Sequence, residues 1–139
     1  MLSNTKSLLI VSAVIEMGAG LLLLIAPSPT AKLLFGAGLV SPESMLVAKV
    51  AGAALLSFAL SCWLERNRDP SAAAIGLVAG LFVYNAAVVV LFVYAALVSK
   101  MNGIGMWPAV GLHSALLIWC AARLRVGRGA SGQRRSSQS

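Results

Sequence analysis

The chain alternates between four long apolar runs and short polar junctions. Each run is about 20 residues long, which as an α-helix rising about 1.5 Å per residue spans a hydrocarbon core about 30 Å thick. The pattern predicts an all-α fold, an integral membrane bundle of four transmembrane helices. The predicted spans are Leu8–Ala26, Ser44–Leu64, Ala72–Val98 and Ile104–Leu124.

The junctions carry recognisable helix starts and stops. After the first span, Ser28 is a candidate N-cap, Pro29 suits the first helical position, and Gly36 is a typical stop signal. This segment predicts a short helix lying at the membrane interface, with a plain loop as the alternative. The same cap-and-proline pattern opens the second and third spans, at Ser41–Pro42 and Asp69–Pro70.

Composition supports the membrane assignment. Of the 139 residues, 59% are hydrophobic and 11% are charged, and the mean hydropathy is +0.89. Soluble domains carry about 25% charged residues, so a soluble globular protein is a poor match. No nucleophile–base pair, metal-ligand cluster or cofactor motif stands out, and we predict a protein that is not an enzyme and has no cofactor or metal. Cys62 and Cys120 are interpreted as packing residues, with a metal site formed together with His113 as the alternative, since His113 and Cys120 share a helix face seven residues apart.

The net charge of +7 is distributed unevenly. With four spans, both termini and the middle loop lie on one side of the membrane, where eight basic residues fall against two on the other side. The positive-inside rule therefore predicts that both termini are cytoplasmic. The eight are Lys6, Arg66, Arg68, Arg123, Arg125, Arg128, Arg134 and Arg135, and the two are Lys32 and Lys100.

The chain divides into a transmembrane domain, residues 1–125, and a basic tail, residues 126–139. The tail is predicted to be disordered and to lie against anionic lipid head groups. It has no interleaved aromatic residues, so we expect the lipid bilayer as its partner and no specific nucleic acid.

Each span contains one strongly polar interior residue: Glu16, Lys49, Asn85 and His113. Such groups are expensive in lipid and usually face the bundle interior or a cavity. Counting residues along the helices places Lys49 near the outer surface, out of direct reach of Glu16. We predict that Glu16 faces inward and bonds to His113 or Asn85. Tyr84, beside Asn85, is a further candidate because of its hydroxyl group.

Small residues predict close helix packing. Gly76 and Gly80 in the third span have GxxxG spacing, and Gly20, Gly111 and Ala115 occur in the first and fourth spans. Residues without bulky side chains let helix backbones approach closely. The Gly76–Gly80 ridge predicts a homo-oligomer or a membrane-protein partner, with packing inside one bundle as the alternative.

Three segments resemble small four-span bacterial membrane proteins of unknown function, and the resemblance extends loosely over residues 14–124. They read "GLLLLIAPSPTAKLLFG", "VAKVAGAALLSFALSCWLER" and "MWPAVGLHSALL". The resemblance implies a four-helix fold in a bacterial inner membrane and supplies no substrate. The leading functional hypothesis is an accessory or assembly protein that acts by helix packing. The alternative is a binder or carrier of a small ligand or proton that uses Glu16, Asn85 and His113.

Overall fold

The chain folds as an all-helical membrane bundle. The computed structural model describes residues 2–67 and 72–136, and within these ranges the backbone forms five helices and no strand. The long helices α1, α3, α4 and α5 are all long and apolar enough to cross a membrane. The predicted four-span fold is therefore confirmed, and the chain is a multi-pass membrane protein. The helices are α1 (Leu2–Ile25), α2 (Pro27–Phe35), α3 (Pro42–Glu65), α4 (Ala72–Leu97) and α5 (Met106–Ser136).

Helix α3 begins as its local sequence predicts. Ser41 is the N-cap, and its Oγ accepts a hydrogen bond of 3.1 Å from the backbone N–H of Ser44. Pro42 occupies the first helical position, where its missing N–H has no consequence. The corresponding prediction for α4 concerns Asp69 and Pro70, which lie outside the described residues.

The short helix after the first span forms, but its predicted start is wrong. It begins at Pro27 after Ala26, and no side chain caps it. The hydroxyl of Ser28 instead donates to the carbonyl of Leu39, 3.1 Å away, across the loop that follows α2. This tertiary hydrogen bond takes the place of the predicted bond to the helix N-terminus. The predicted stop is confirmed: Gly36 has a φ of 82°, a left-handed conformation that favours glycine.

The long helices associate mainly as two pairs. Helix α1 packs extensively against α3, and α4 against α5, whereas α3 and α4 have little contact with each other. Helices α1 and α3 approach most closely at Gly20 and Gly52. A Cβ atom at Gly20 would lie 2.8 Å from the carbonyl oxygen of Gly52, and one at Gly52 would lie 2.7 Å from that of Gly20. Only glycine accommodates this separation.

Further hydrogen bonds hold the helices together near both ends of the bundle. At one end, called the basic end because Lys6 and Arg66 also lie there, the Arg123 guanidinium group of α5 donates to the Thr5 hydroxyl of α1 through Nε (3.1 Å) and Nη2 (2.7 Å). At the other, called the α2 end, the N–H of Gly103 in the α4–α5 loop donates to the α2 carbonyl of Leu34 at 3.0 Å.

Helix α5 is longer than its predicted span. It continues beyond Leu124 to Ser136, through most of the segment that the sequence analysis treated as a disordered tail. Extending an existing helix is much easier than nucleating a new one. The stretch contains Gly127, Gly129 and Gly132, which each disfavour a helix by about 1 kcal/mol relative to alanine, so this part of α5 is an extension of the span and not a product of local propensity.

Candidate functional site

A pair of polar side chains lies inside the bundle on α1. Ser12 and Glu16 are one helical turn apart, and both are fully buried. The hydroxyl oxygen of Ser12 and both carboxyl oxygens of Glu16 lack a hydrogen-bond partner of regular geometry. Burying polar atoms without partners is unfavourable, so this pair is an unusual feature of the core.

Two residues from other helices surround the Glu16 carboxyl group. The Tyr84 hydroxyl of α4 and the Cys62 thiol of α3 are both within electrostatic range of it. The Tyr84 contact falls short of regular hydrogen-bond geometry, because neither carboxyl oxygen of Glu16 has a partner by that criterion. Tyr84 is therefore a neighbour of the carboxyl group and not a regular hydrogen-bond donor to it.

The expected hydrogen bond from Glu16 to Asn85 or His113 is not formed. Asn85 and His113 are both buried, and they bond to each other instead: Nδ1 of His113 lies 2.7 Å from Oδ1 of Asn85. The rotation of α1 about its own axis turns Glu16 inward, but it brings the carboxyl group beside Tyr84.

The hydrogen bonds of Asn85 define which His113 nitrogen carries the proton. The Asn85 side-chain N–H₂ group donates to the carbonyl of Leu81 at 2.7 Å. Flipping the amide would place two oxygens at that distance, so the oxygen must face His113. In the neutral imidazole, Nδ1 is then the donor and Nε2 is an acceptor. Nε2 has no hydrogen bond within the described part of the chain, and it is not among the buried unpartnered atoms.

A groove of about 880 Å³ runs between α3 and the α4–α5 pair, and α1 and α2 also contribute to its walls. Its walls are predominantly apolar. The hydroxyls of Ser57 and Ser61 on its α3 side donate to carbonyls of their own helix, at 3.0 and 2.9 Å. The lining residues are Ile15, Ala19, Leu23, Leu34, Ala51, Ala54, Leu55, Ser57, Phe58, Ser61, Tyr84, Val88, Phe92, Ala109, Leu112 and His113.

An edge-to-face series of aromatic rings follows this groove. Centroid separations are 6.0 Å for Phe58–Tyr84, 5.8 Å for Tyr84–His113, 6.4 Å for Phe92–His113 and 5.6 Å for Phe35–Phe92. The sequence analysis singled out Tyr84 and His113 but missed the three phenylalanines. Tyr84 and Phe92 are eight residues apart and share a face of α4, which was the available signal.

Lys49 does not belong to this site. It is exposed on α3, and no ion pair between it and Glu16 is present among the described residues. Its long side chain can extend along the helix surface toward the membrane boundary.

The small residues singled out in the sequence fall in different environments. Gly20 lies in the close contact between α1 and α3, whereas a Cβ atom at Gly76 or Gly111 would meet nothing within 4 Å. One at Gly80 would meet only the ring of Phe58, at 3.7 Å. Ala115 is exposed on α5. The Gly76 position is therefore not used for packing inside this bundle.

No protein-family model, curated protein or solved structure matches this chain. The resemblance to small four-span membrane proteins stays a prediction.

Proposed function

We propose that this protein binds a lipophilic small molecule in the groove between α3 and the α4–α5 pair. The observation that carries the proposal is the groove itself, about 880 Å³ in volume, with apolar walls and with Tyr84 and His113 as its distinctive polar side chains. Ligand sites are commonly apolar cavities of about 300–1,000 Å³ with a few well-placed polar groups. Of the two functions that the sequence suggests, this geometry favours the binder.

The position of the groove supports entry from the bilayer. Helices α3 and α4 scarcely touch, and the lining residues Ala51, Ala54 and Ser57 are exposed on α3. An apolar chain can therefore lie between the two helices while its polar head reaches Tyr84 and His113. The aromatic rings give the head a rigid wall to pack against.

The proposal is tested with a long-chain alcohol that carries a photoactivatable diazirine group in its alkyl chain. The purified protein in lipid nanodiscs is labelled with this probe, and the incorporated label is measured by mass spectrometry. Ala54→Trp places a large ring in the groove and should reduce labelling strongly. Ala53→Trp is the matched control, since Ala53 is exposed on the same helix but does not line the groove.

Equal labelling of the native protein and both variants would overturn the proposal, because it would mean that the probe reacts only from the surrounding bilayer. Both variants must insert and remain monodisperse, which size-exclusion chromatography checks. Labelled peptides should come from α3 and α4 in the native protein and in Ala53→Trp.

A second candidate function is that of an accessory protein held by helix packing. The observation that favours it is the open surroundings of Gly76 and Gly111, together with the exposure of Ala115. At these positions the backbone of a partner helix could approach closely, because no bulky side chain is in the way.

We further propose a bacterial inner membrane location, with the basic end facing the cytoplasm. The support is the excess of lysine and arginine at that end. A reporter that is active only in the cytoplasm should be active when fused after Ser139 and silent when fused at Gly38. The reverse pattern would overturn this orientation.

A further inference from the structure

We propose that the groove selects ligands whose polar head is a hydroxyl group, an alcohol or a phenol, which donates a hydrogen bond to Nε2 of His113. This inference rests on the proposed function and adds the chemistry of the head group. It disfavours lipophiles whose heads only accept hydrogen bonds.

The first step concerns the proton on His113. Oδ1 of Asn85 accepts a hydrogen bond from Nδ1–H of His113. The Asn85 N–H₂ group donates to the carbonyl of Leu81, which fixes the orientation of the amide. In the neutral ring, Nε2 therefore presents a lone pair and no proton. His113 lines the groove, so Nε2 is the ring nitrogen available to a bound molecule.

The second step concerns the other polar groups of the groove. The hydroxyls of Ser57 and Ser61 donate to their own helix, and the Tyr84 hydroxyl lies near the Glu16 carboxyl group. Within the described lining, these groups leave Nε2 as the strongest acceptor without a donor. A ligand that fills the groove and shields Nε2 must supply an O–H or N–H, or leave a buried polar atom unpaired.

The third step concerns the membrane environment. An ammonium or amide head would also donate, but it carries further polar atoms that these apolar walls would leave unpaired. A hydroxyl group has one donor proton and small size. An alkyl or isoprenoid chain attached to it can extend along the apolar walls between α3 and α4.

The experiment is a competition between two nearly identical molecules. Farnesol and farnesyl methyl ether share the same chain, but only farnesol has a donor proton. Each is titrated against labelling of the native protein by the diazirine-bearing alcohol in nanodiscs. One hydrogen bond of ordinary strength corresponds to about a fivefold difference, so farnesol should compete at about fivefold lower concentration than the ether.

A variant assigns the preference to His113. His113→Phe keeps a ring of similar shape and removes the acceptor, so farnesol and its ether should compete equally against residual labelling. His113→Gln, which restores an acceptor, should recover part of the preference. Persistence of the full preference in His113→Phe would overturn the assignment to Nε2.

The outcomes separate the two proposals. If Ala54→Trp reduces labelling but farnesol and its ether compete equally in the native protein, the head-group inference is wrong and the lipophile-binding function stands. If Ala54→Trp labels as strongly as the native protein, the groove is not a binding site and both proposals are overturned.

Discussion

Nδ1 of His113 and Oδ1 of Asn85 lie 2.7 Å apart in the interior, and they join α5 to α4 through side chains that the sequence places 28 residues apart. The contact has two consequences. It connects the helices of one pair at membrane depth, and it assigns the protonated nitrogen of His113. The same hydrogen bond therefore links the stability of the bundle to the chemistry of the groove.

The stabilising effect of this pair can be measured with a double-mutant cycle. We expect Asn85→Leu and His113→Leu to show a coupling of about 0.6 kcal/mol, and at most about 1.7 kcal/mol, because interhelical hydrogen bonds in membrane proteins fall in that range. The free energy of unfolding is measured in mixed detergent micelles for the native protein, both single variants and the double variant. Additive effects would show that the two side chains do not interact.

The contact between α1 and α3 predicts different effects for two glycines of α1. Gly20→Ala should destabilise the protein, because its new methyl group would lie 2.8 Å from the backbone oxygen of Gly52. Gly18→Ala is the matched control: nothing lies within 4 Å of a Cβ atom there, and alanine favours the helix by about 1 kcal/mol. Thermal unfolding in detergent should place Gly20→Ala below the native protein and Gly18→Ala at or above it. The opposite order would contradict the observed helix crossing.

The unpartnered hydroxyl of Ser12 makes a further prediction. Ser12→Ala should leave the unfolding temperature unchanged or raise it, because a buried oxygen without a hydrogen bond is removed. Ser41→Ala is the comparison, since Ser41 caps α3 and its loss should cost about 1 kcal/mol. A larger loss of stability for Ser12→Ala than for Ser41→Ala would mean that the Ser12 hydroxyl has an important partner.

Self-association through α4 is tested at Gly76. Gly76→Leu should reduce chemical cross-linking of the protein in membranes while leaving insertion intact, because leucine would block close approach of a second helix. Gly18→Leu on α1 is the control, because a Cβ atom at Gly18 also meets nothing within 4 Å and Gly18 is not part of the proposed partner surface. If the native protein is monomeric at all detergent ratios, or if Gly76→Leu cross-links as well as the native protein, the proposed homo-oligomer does not form through this surface.

Local features of the fold were largely predictable. The four apolar runs have the length of membrane spans, and Ser41–Pro42 and Gly36 carry the chemistry of a helix start and a helix stop. The start of α2 was not predictable. The Ser28 hydroxyl does not cap the helix, because it donates to the carbonyl of Leu39, a contact that forms only in the folded loop. Local signals fail where a tertiary contact competes for the same side chain.

The candidate site was predictable only in part. The sequence of a single helix shows which of its faces is polar, and that was sufficient to predict that Glu16 faces inward. It does not show how far neighbouring helices are rotated or shifted along their axes, and those quantities decide that Tyr84, and not Asn85, lies beside Glu16. The groove was not visible in the sequence, because it arises from the weak contact between two consecutive helices, α3 and α4.

The most direct test of the account is native mass spectrometry of the protein released from nanodiscs that were formed directly from its own membrane. We predict that the native protein and Ala53→Trp retain one lipophilic molecule per chain, and that fragmentation identifies a hydroxyl group on it. Ala54→Trp should be released without this added mass. A native protein that carries no bound molecule, or an Ala54→Trp variant that carries the same molecule at the same occupancy, would contradict a ligand site between α3 and the α4–α5 pair.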